Sequence, residues 1–166
     1  MNTAHNNGAA EFSPDRKYRY TLWRERGLPL VNGYVQFIGL NPSTADETTD
    51  DPTVTRMWRF AWLWGYGRLC VTNAFAYRAT DPRHMMAQPD PVGANNDDHI
   101  LTVAHGASLI VCAWGVNGTH MNREAVLLEK LSDYPLCHLG LTKRGHPKHP
   151  LYLRGDLRQE LWRNHE

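Results

Sequence analysis

The sequence lacks the short motifs that mark several common enzyme classes. It has no glycine-rich phosphate loop of the Walker type and no Gly-x-Ser-x-Gly elbow, which argues against a P-loop NTPase and a serine hydrolase. Its nine histidines include no His-x-x-x-His pair on a predicted helix, the spacing that a helical zinc site uses. We therefore predict no metal and no other cofactor.

Cysteine and long apolar runs are also scarce. Cys70, Cys112 and Cys137 lie singly in apolar strand-like runs without Cys-x-x-Cys spacing, which is typical of buried free thiols in a reducing compartment. No apolar run approaches the roughly 18 residues that span a bilayer, and the polar first fifteen residues contain no basic-then-apolar signal. The expectation is a cytoplasmic protein that does not enter a membrane.

The bulk composition is that of a folded domain. Hydrophobic residues make up 42% of the 166 residues and the net charge is +1, a balance that neither favours nor excludes a nucleic-acid partner. We predict a disordered leader over residues 1–15 and a single α/β domain over residues 16–166. Nothing in the composition indicates the oligomeric state.

Strand and helix patterns alternate along the chain. Strands are predicted at 18–23, 34–40, 68–72, 109–114 and 136–141, and helices begin near Asp51 or Thr53, at Asn95 or Asn96, after Gly118 and near residue 155. This alternation predicts a three-layer α/β/α fold with a mainly parallel central sheet.

The segment Gly39-Leu40-Asn41-Pro42-Ser43 ends the second predicted strand. Pro42 keeps the preceding Asn41 out of the helical region, so Asn41 lies extended where open α/β sheets bind their ligands. Its amide both donates and accepts hydrogen bonds, which suits the positioning of a water or the reading of a polar ring. The alternative is a turn residue, because Asn-Pro favours turn initiation.

Other predicted strands also end in polar or special residues. Asn73 ends the third strand, Trp114 and Gly115 follow the fourth, and Thr142–His149 follows the fifth. In a parallel sheet these ends converge on one edge, which indicates a binding site. Asn73 as a strand cap and Trp114 as a core residue remain open alternatives.

The loop Thr142–Tyr152 is basic and contains no acidic residue. Glycine and proline stiffen it, and its cations suit contacts with phosphate oxygens. The alternative is a solvated loop that only keeps the protein soluble. The predicted phosphate-binding residues are Lys143, Arg144, Lys148 and Arg154.

The acidic loop of residues 46–51 is the remaining cluster of charge. Its spacing matches no EF-hand loop, and most of its carboxylates are interpreted as helix N-terminal charge and turn formers. Asp46, five residues after Asn41, is the candidate general base. A metal-dependent hydrolase that uses Asp46, Asp50 and Asp51 is a further alternative.

From about residue 18 to 155, the chain resembles the DUF1643 family, a family without an established activity. The resemblance rests on the segments Gly39–Asp46, Asp51–Thr53, Asn73–Arg78, Ala113–Gly115 and His146–Tyr152. This resemblance implies no particular chemistry.

The order of motifs is also similar to that of the uracil-DNA glycosylase superfamily, whose fold is a parallel sheet between helices. Gly39–Ser43 resembles its Gly-Ile-Asn-Pro-Gly motif, in which the asparagine positions the attacking water. Asn73 resembles the asparagine that reads the flipped base in some branches. His149-Pro150-Leu151 resembles the start of the His-Pro-Ser-Pro motif, whose histidine steadies charge on the base. Here Leu151-Tyr152 stands in place of Ser-Pro.

Cleavage of an N-glycosidic bond needs a positioned water, a donor to the base, an aromatic face and cations for phosphates. The resemblance implies Asn41 and His149 as catalytic residues, with Asp46 assisting. The expected substrate-binding residues are Pro42, Ser43, Asn73, Phe75, Tyr77, Trp114 and Gly115. The leading hypothesis is a glycosylase-like protein that acts on a nucleobase in DNA or a nucleotide. The alternative is a non-catalytic nucleic-acid or nucleotide-binding module on the same scaffold.

Overall fold

The computed structural model describes residues 7–27 and 29–163, which contain seven strands and four α-helices. The strands are β1 (Asn7–Phe12), β2 (Arg19–Glu25), β3 (Val35–Gly39), β4 (Arg68–Asn73), β5 (Leu109–Cys112), β6 (Leu136–His138) and β7 (Glu160–Arg163). The helices are α1 (Pro52–Leu63), α2 (Pro82–Met86), α3 (Asn96–Gly106) and α4 (Arg123–Lys130), with a kinked 3-10 segment (Val116–Asn122) before α4.

All seven strands belong to one sheet in the order β1-β2-β4-β3-β5-β6-β7. The pairings β4-β3, β3-β5 and β5-β6 are parallel, whereas β1-β2, β2-β4 and β6-β7 are antiparallel. The predicted α/β class is confirmed. The prediction of a mainly parallel sheet is corrected to a mixed sheet, because β2 and β7 run against the inner four strands and β1 runs against β2.

Helices cover both faces of this sheet. Successive side chains of a strand point to opposite faces, so Phe37 packs with the buried side of α1 while Ile38 packs with α3 and α4. Burial of these two apolar clusters is the main favourable contribution to folding. The layers leave the carboxyl ends of β3, β4 and β5 at one edge, where Asn41 follows β3 and Asn73 ends β4.

Two sequence predictions about the ends of the domain are wrong. The expected disordered leader includes residues 7–12, which form β1 and pair with β2; its residues 1–6 lie outside the described ranges. The helix predicted near residues 155–164 is replaced by β7. Trp162 of β7 packs into the α3 side of the core while its neighbour Leu161 is exposed, so the apolar pattern has the period of a strand and not that of a helix.

The predicted start of α1 and the predicted burial of the cysteines are confirmed. Asp51 caps α1 by accepting a hydrogen bond from the Val54 N–H (2.9 Å), and Pro52 opens the helix. The three cysteines are buried and unpaired. Across the described ranges, no helix has the length and apolar character needed to cross a bilayer.

Candidate functional site

A cleft opens at the carboxyl ends of β3, β4 and β5. It has a volume of about 460 Å³ and adjoins a recess of about 30 Å³. A volume near 30 Å³ accommodates one water molecule or one oxygen-bearing group. The polar residues that line the recess are Arg19, Asn41, Ser43, Asp51, Thr53, Asn73 and His149. Three residues that the sequence places at separate strand ends or loops, Asn41, Asn73 and His149, are therefore brought together.

Asn41 follows β3 and is fixed by its own amide. Its Nδ2 donates to the backbone oxygens of Pro42 (3.1 Å) and Ala79 (2.8 Å). Both amide hydrogens are thereby used, and Oδ1 has no hydrogen-bond partner among the described residues. Asn41 consequently offers an oriented acceptor to the cleft, which suits a water or a ligand N–H group.

Asn73, the last residue of β4, is buried and lines the recess. Its backbone oxygen accepts a hydrogen bond from Nδ2 of Asn96 (2.9 Å), while its own buried Nδ2 has no hydrogen-bond partner in the described ranges. A Cβ on Gly39 would lie 2.8 Å from Oδ1 of Asn73, so the absence of a side chain at Gly39 leaves space for the Asn73 amide. An unpaired buried donor is costly, and a ligand oxygen in the recess would satisfy it.

The imidazole ring of His149 offers its Nε2 nitrogen as a hydrogen-bond donor. Its Nδ1 accepts the N–H of Leu151 (3.2 Å), so the neutral ring has its proton on Nε2. Burial lowers the pKa of His149, and the nearby charge of Asp51 only partly opposes this shift. The imidazole is thus held neutral near pH 7, with an N–H available to a ligand.

Gly115 positions the His149 loop. Its φ of 71° lies in the left-handed region that favours glycine, and its N–H donates to Pro147 O (2.9 Å). A Cβ at this position would lie 3.5 Å from Cβ of His149. Gly115 therefore joins the end of the β5 segment to the loop and lines the cleft.

Two charged residues of the recess, Arg19 and Asp51, are not among the site residues of the leading hypothesis, although the metal-dependent alternative includes Asp51. Arg19 of β2 is 2% exposed, its Nη1 donates to Ala45 O (3.1 Å), and its buried Nε has no partner. Burial lowers the pKa of Arg19 to about 10, so the guanidinium remains charged at neutral pH. No carboxylate in the described ranges forms a salt bridge with it.

Asp51 is the second of these residues, and it has two roles. Its Oδ1 caps α1, and its Oδ2 accepts the N–H of Ala45 (3.3 Å). The carboxylate also lines both the recess and the cleft. Its negative charge raises the pKa of Arg19 against the larger effect of burial, so the recess contains a facing cation and anion with spare hydrogen-bonding capacity.

Several predicted site residues lie elsewhere. Asp46 does not line the recess or the cleft; its Oδ1 accepts the N–H groups of Thr48 (3.0 Å) and Thr49 (2.9 Å), and these bonds lower its pKa. Phe75 is fully buried in the core and cannot present a face to a ligand. Tyr77 lines a neighbouring groove instead.

Trp114 and the Pro42-Ser43 turn do border the cleft or recess. Trp114 is 1% exposed and its Nε1 donates to Glu124 Oε1 (2.9 Å), so it forms part of the wall and not a free stacking surface. Ser43 lines both spaces, and Pro42 lines the recess and accepts the N–H of Ala79 at its backbone oxygen (2.9 Å).

The predicted phosphate contacts are not part of the cleft. Lys143, Arg144 and Lys148 are exposed, and neither they nor Arg154 line the recess, the cleft or the two neighbouring grooves. Arg154 pairs with Asp156 (2.7 Å).

The carboxylates of the acidic loop also do not come together in one site. Asp50 pairs with Arg24 (2.7 Å) and Arg26 (2.5 Å), Asp46 closes its turn and Asp51 caps α1. Within the ranges that the structure describes, no three His, Cys, Asp or Glu side chains are grouped to hold a metal ion. The arrangement gives no support to the metal-dependent alternative.

Comparison with known families adds one match. A family model described as "Protein of unknown function (DUF1643)" matches residues 19–151. No curated protein and no solved structure matches the chain. The matched range begins at Arg19 and includes Asn41, Asn73 and His149, so it contains the polar residues of the recess.

Proposed function

Because the chain belongs to the DUF1643 family, whose description assigns no function, we propose a function from the cleft itself: the protein binds a nucleobase there and hydrolyses its N-glycosidic bond. The observation that carries this proposal is the convergence of Asn41, Asn73 and His149 on one recess. The recess accepts one oxygen-bearing group, such as the exocyclic oxygen of a base, and the wider cleft leaves space for a ring.

The donors of the recess suit a departing base. When the bond between the anomeric carbon and the base nitrogen breaks, the electron pair goes to the base and negative charge develops on its oxygen. Within the described part of the chain, Nε2 of His149, Nδ2 of Asn73 and Nε of Arg19 are donors without protein acceptors. Fixed donors aimed at developing charge stabilise a transition state more than a ground state.

The acceptors of the site suit the attacking water. Oδ1 of Asn41 accepts one water hydrogen, and the carboxylate of Asp51 takes the proton as the water oxygen bonds to the anomeric carbon. An amide cannot accept this proton whereas a carboxylate can. Asp51 therefore replaces Asp46 as the candidate general base, because Asp51 lines the recess and Asp46 does not.

The likeness to the uracil-DNA glycosylase superfamily is part of this proposal. It is supported by the order of Asn41, Asn73 and His149 along the chain and by their shared recess. Recognition of the ring differs from the sequence expectation, because Phe75 is buried in the core. The apolar contacts available in the cleft include those of Leu40, Pro82, Val116 and Leu151.

The test is release of free base from single- and double-stranded oligonucleotides that contain uracil, hypoxanthine or alkylated bases. We expect release from at least one of these substrates, and we expect His149→Ala to slow it by ~10²–10³, the usual cost of losing one well-aimed donor. Asn73→Ala should have a comparable effect, since its unpaired donor faces the same oxygen.

The matched control is His105→Ala, which changes an exposed histidine at the end of α3. This variant should retain the wild-type rate, and thermal melting establishes that all variants are folded. Absence of release from every substrate would refute the catalytic proposal, as would equal rates for the wild type and both cleft variants.

Binding without hydrolysis is the second candidate function. It is favoured by one observation: the carboxylate of Asp51 in the recess already accepts two backbone N–H groups, which lowers its capacity to take a proton. In this case oligonucleotides or nucleotides bind in an Asn73-dependent manner and no base is released.

A further inference from the structure

A second concave surface adjoins the cleft and is positively charged. This basic groove has a volume of about 470 Å³, and the residues that define it are Arg16, Lys17, Ser43, Tyr77, Arg78 and Thr80. Ser43 and Thr80 also line the cleft, so the two spaces share a wall. Among the residues that the structure describes, no acidic side chain lines the groove.

The charges of the basic groove are only partly compensated. Arg16 forms a two-point ion pair with Glu47 (2.8 and 3.0 Å). Lys17 is exposed and makes no salt bridge within the described residues, and Arg78 has no carboxylate partner there. After the Arg16–Glu47 pair is discounted, two positive charges remain beside the cleft.

Arg78 is held in place before any ligand arrives. Its Nη1 donates to Arg16 O (3.1 Å), and its guanidinium lies over the Phe12 ring of β1 (4.8 Å to the centroid). Its buried Nε has no hydrogen-bond partner. A planar guanidinium with free donors is suited to phosphate oxygens, and little side-chain entropy is lost when it is already fixed.

Hydroxyl groups complete the groove. Oγ of Ser43 and Oγ1 of Thr80 are 3.4 Å apart, a long contact, so both hydroxyls can still donate to a ligand. Serine and threonine hydroxyls commonly join cations in phosphate contacts. Because both residues also line the cleft, an anion here would lie next to a ligand in the cleft.

We propose that the basic groove binds a phosphate group, and that this phosphate belongs to the nucleotide whose base occupies the cleft. The second half of this statement rests on the proposed function, whereas phosphate binding by the groove does not. The groove thus replaces the Thr142–Tyr152 loop as the phosphate contact, since Lys143 and Arg144 line neither the groove nor the cleft.

The test compares two exposed lysines that form no salt bridge in the described ranges, Lys17 in the groove and Lys143 in the loop. The probe is a short fluorescent single-stranded oligonucleotide with a central abasic site, which offers phosphates without a target base. We expect Lys17→Gln to weaken its binding several-fold and to reduce the slope of log K against log salt by about 0.7. Lys143→Gln should leave both quantities unchanged.

Arg78→Gln provides a second measurement, with thermal melting to establish that the variant is folded; it should weaken binding at least as much as Lys17→Gln. The proposal is overturned if the wild type does not bind the probe at low salt, or if Lys143→Gln weakens binding as much as Lys17→Gln. A lack of effect from Lys17→Gln together with folded Arg78→Gln also overturns it.

Two further probes separate the source of the phosphate and the dependence on catalysis. A nucleoside monophosphate that competes with the oligonucleotide and has the same Lys17 dependence indicates a free nucleotide as ligand. Competition by longer oligonucleotides alone indicates nucleic acid. Probe binding without base release would support phosphate binding by the groove and refute hydrolysis in the cleft. Base release that is insensitive to Lys17→Gln and Arg78→Gln would support hydrolysis and refute phosphate binding by the groove.

Discussion

At the residue scale, Arg19 and Arg24 are two fully buried arginines of the same strand with different surroundings. Arg24 pairs with Asp50 (2.7 Å), whereas Arg19 has only the Ala45 oxygen as hydrogen-bond acceptor. A buried cation without a carboxylate partner is costly to the fold. The position of Arg19 at the recess is explained if its positive charge stabilises a bound ligand.

We predict that Arg19→Gln slows base release by ~10² or more while it lowers the free energy of unfolding by no more than ~1 kcal/mol, because one hydrogen bond is lost and a buried charge is removed. Arg24→Gln is the comparison: it leaves Asp50 with fewer partners and should cost ~3 kcal/mol. Urea denaturation measures both. A larger loss of stability from Arg19→Gln than from Arg24→Gln would contradict this assignment.

The sequence identifies some of these residues and misses others for physical reasons. Asn41, Asn73 and His149 are found because each follows an apolar strand or a stiff loop, and parallel strands bring such ends together. Arg19 is missed because alternation in Tyr18–Trp23 predicts an outward side chain. In the structure the loop before α1 covers this side chain, and Ala45 O accepts a hydrogen bond from Nη1 of Arg19 (3.1 Å). Phe75 is misassigned because a sequence pattern does not say which aromatic enters the core.

At the scale of elements, the residue at the N-terminus of α1 contributes both to the stability of the fold and to the candidate site. Asp51 caps the helix and also lines the recess, so its two roles can be separated by substitution. Asp51→Ala removes the cap and should lower the free energy of unfolding by ~1 kcal/mol. Asp51→Asn keeps an oxygen that caps the helix but loses the acceptor for the Ala45 N–H, so it should lower stability less than Asp51→Ala does.

Activity should respond differently from stability at this position. If Asp51 takes the proton of the attacking water, base release should fall strongly in both variants, since an amide cannot act as a base. Denaturation curves and release rates measured on the same preparations provide the comparison. Wild-type activity in folded Asp51→Asn would restrict Asp51 to helix capping.

The elements themselves are predicted unevenly. The strand-helix alternation from β3 to β6 follows from apolar periodicity and caps such as Asp51. The strands β1 and β7 are not foreseen. Half of the residues of β1 are glycine or alanine, and the strand is stabilised by backbone pairing with β2. The sequence around Leu161 and Trp162 is compatible with the period of a helix and with that of a strand, and only the tertiary packing distinguishes them. The sheet is mixed because the predicted strand β2 and the missed strand β7 are antiparallel to the inner four strands.

At the scale of the whole molecule, two histidines couple stability to pH. Burial lowers the pKa of His138 and of His149 below the ordinary value of 6.5, with smaller opposing effects from Glu160 and Asp51 respectively. In each ring Nδ1 accepts a backbone N–H, from Gly140 (2.8 Å) and from Leu151 (3.2 Å). Protonation of Nδ1 would break these bonds.

The direction of the effect follows from the proton balance. Below pH 6.5 the histidines of the unfolded chain take up protons, while the folded protein resists protonation because its pKa values are lower. The unfolded state then binds more protons, so the free energy of unfolding decreases as pH falls from 6.5 through the folded pKa values. Above pH 6.5 both states are mostly neutral and these groups contribute no slope.

We therefore predict that urea denaturation shows decreasing stability between about pH 7 and about pH 5.5, a window above the range in which Asp and Glu titrate. The double variant His138→Asn, His149→Asn should flatten this dependence, because Asn Oδ1 can still accept the backbone N–H but does not titrate. His105→Asn, at an exposed position, should retain the wild-type dependence. An unchanged slope in the folded double variant would show that other groups control stability in this range.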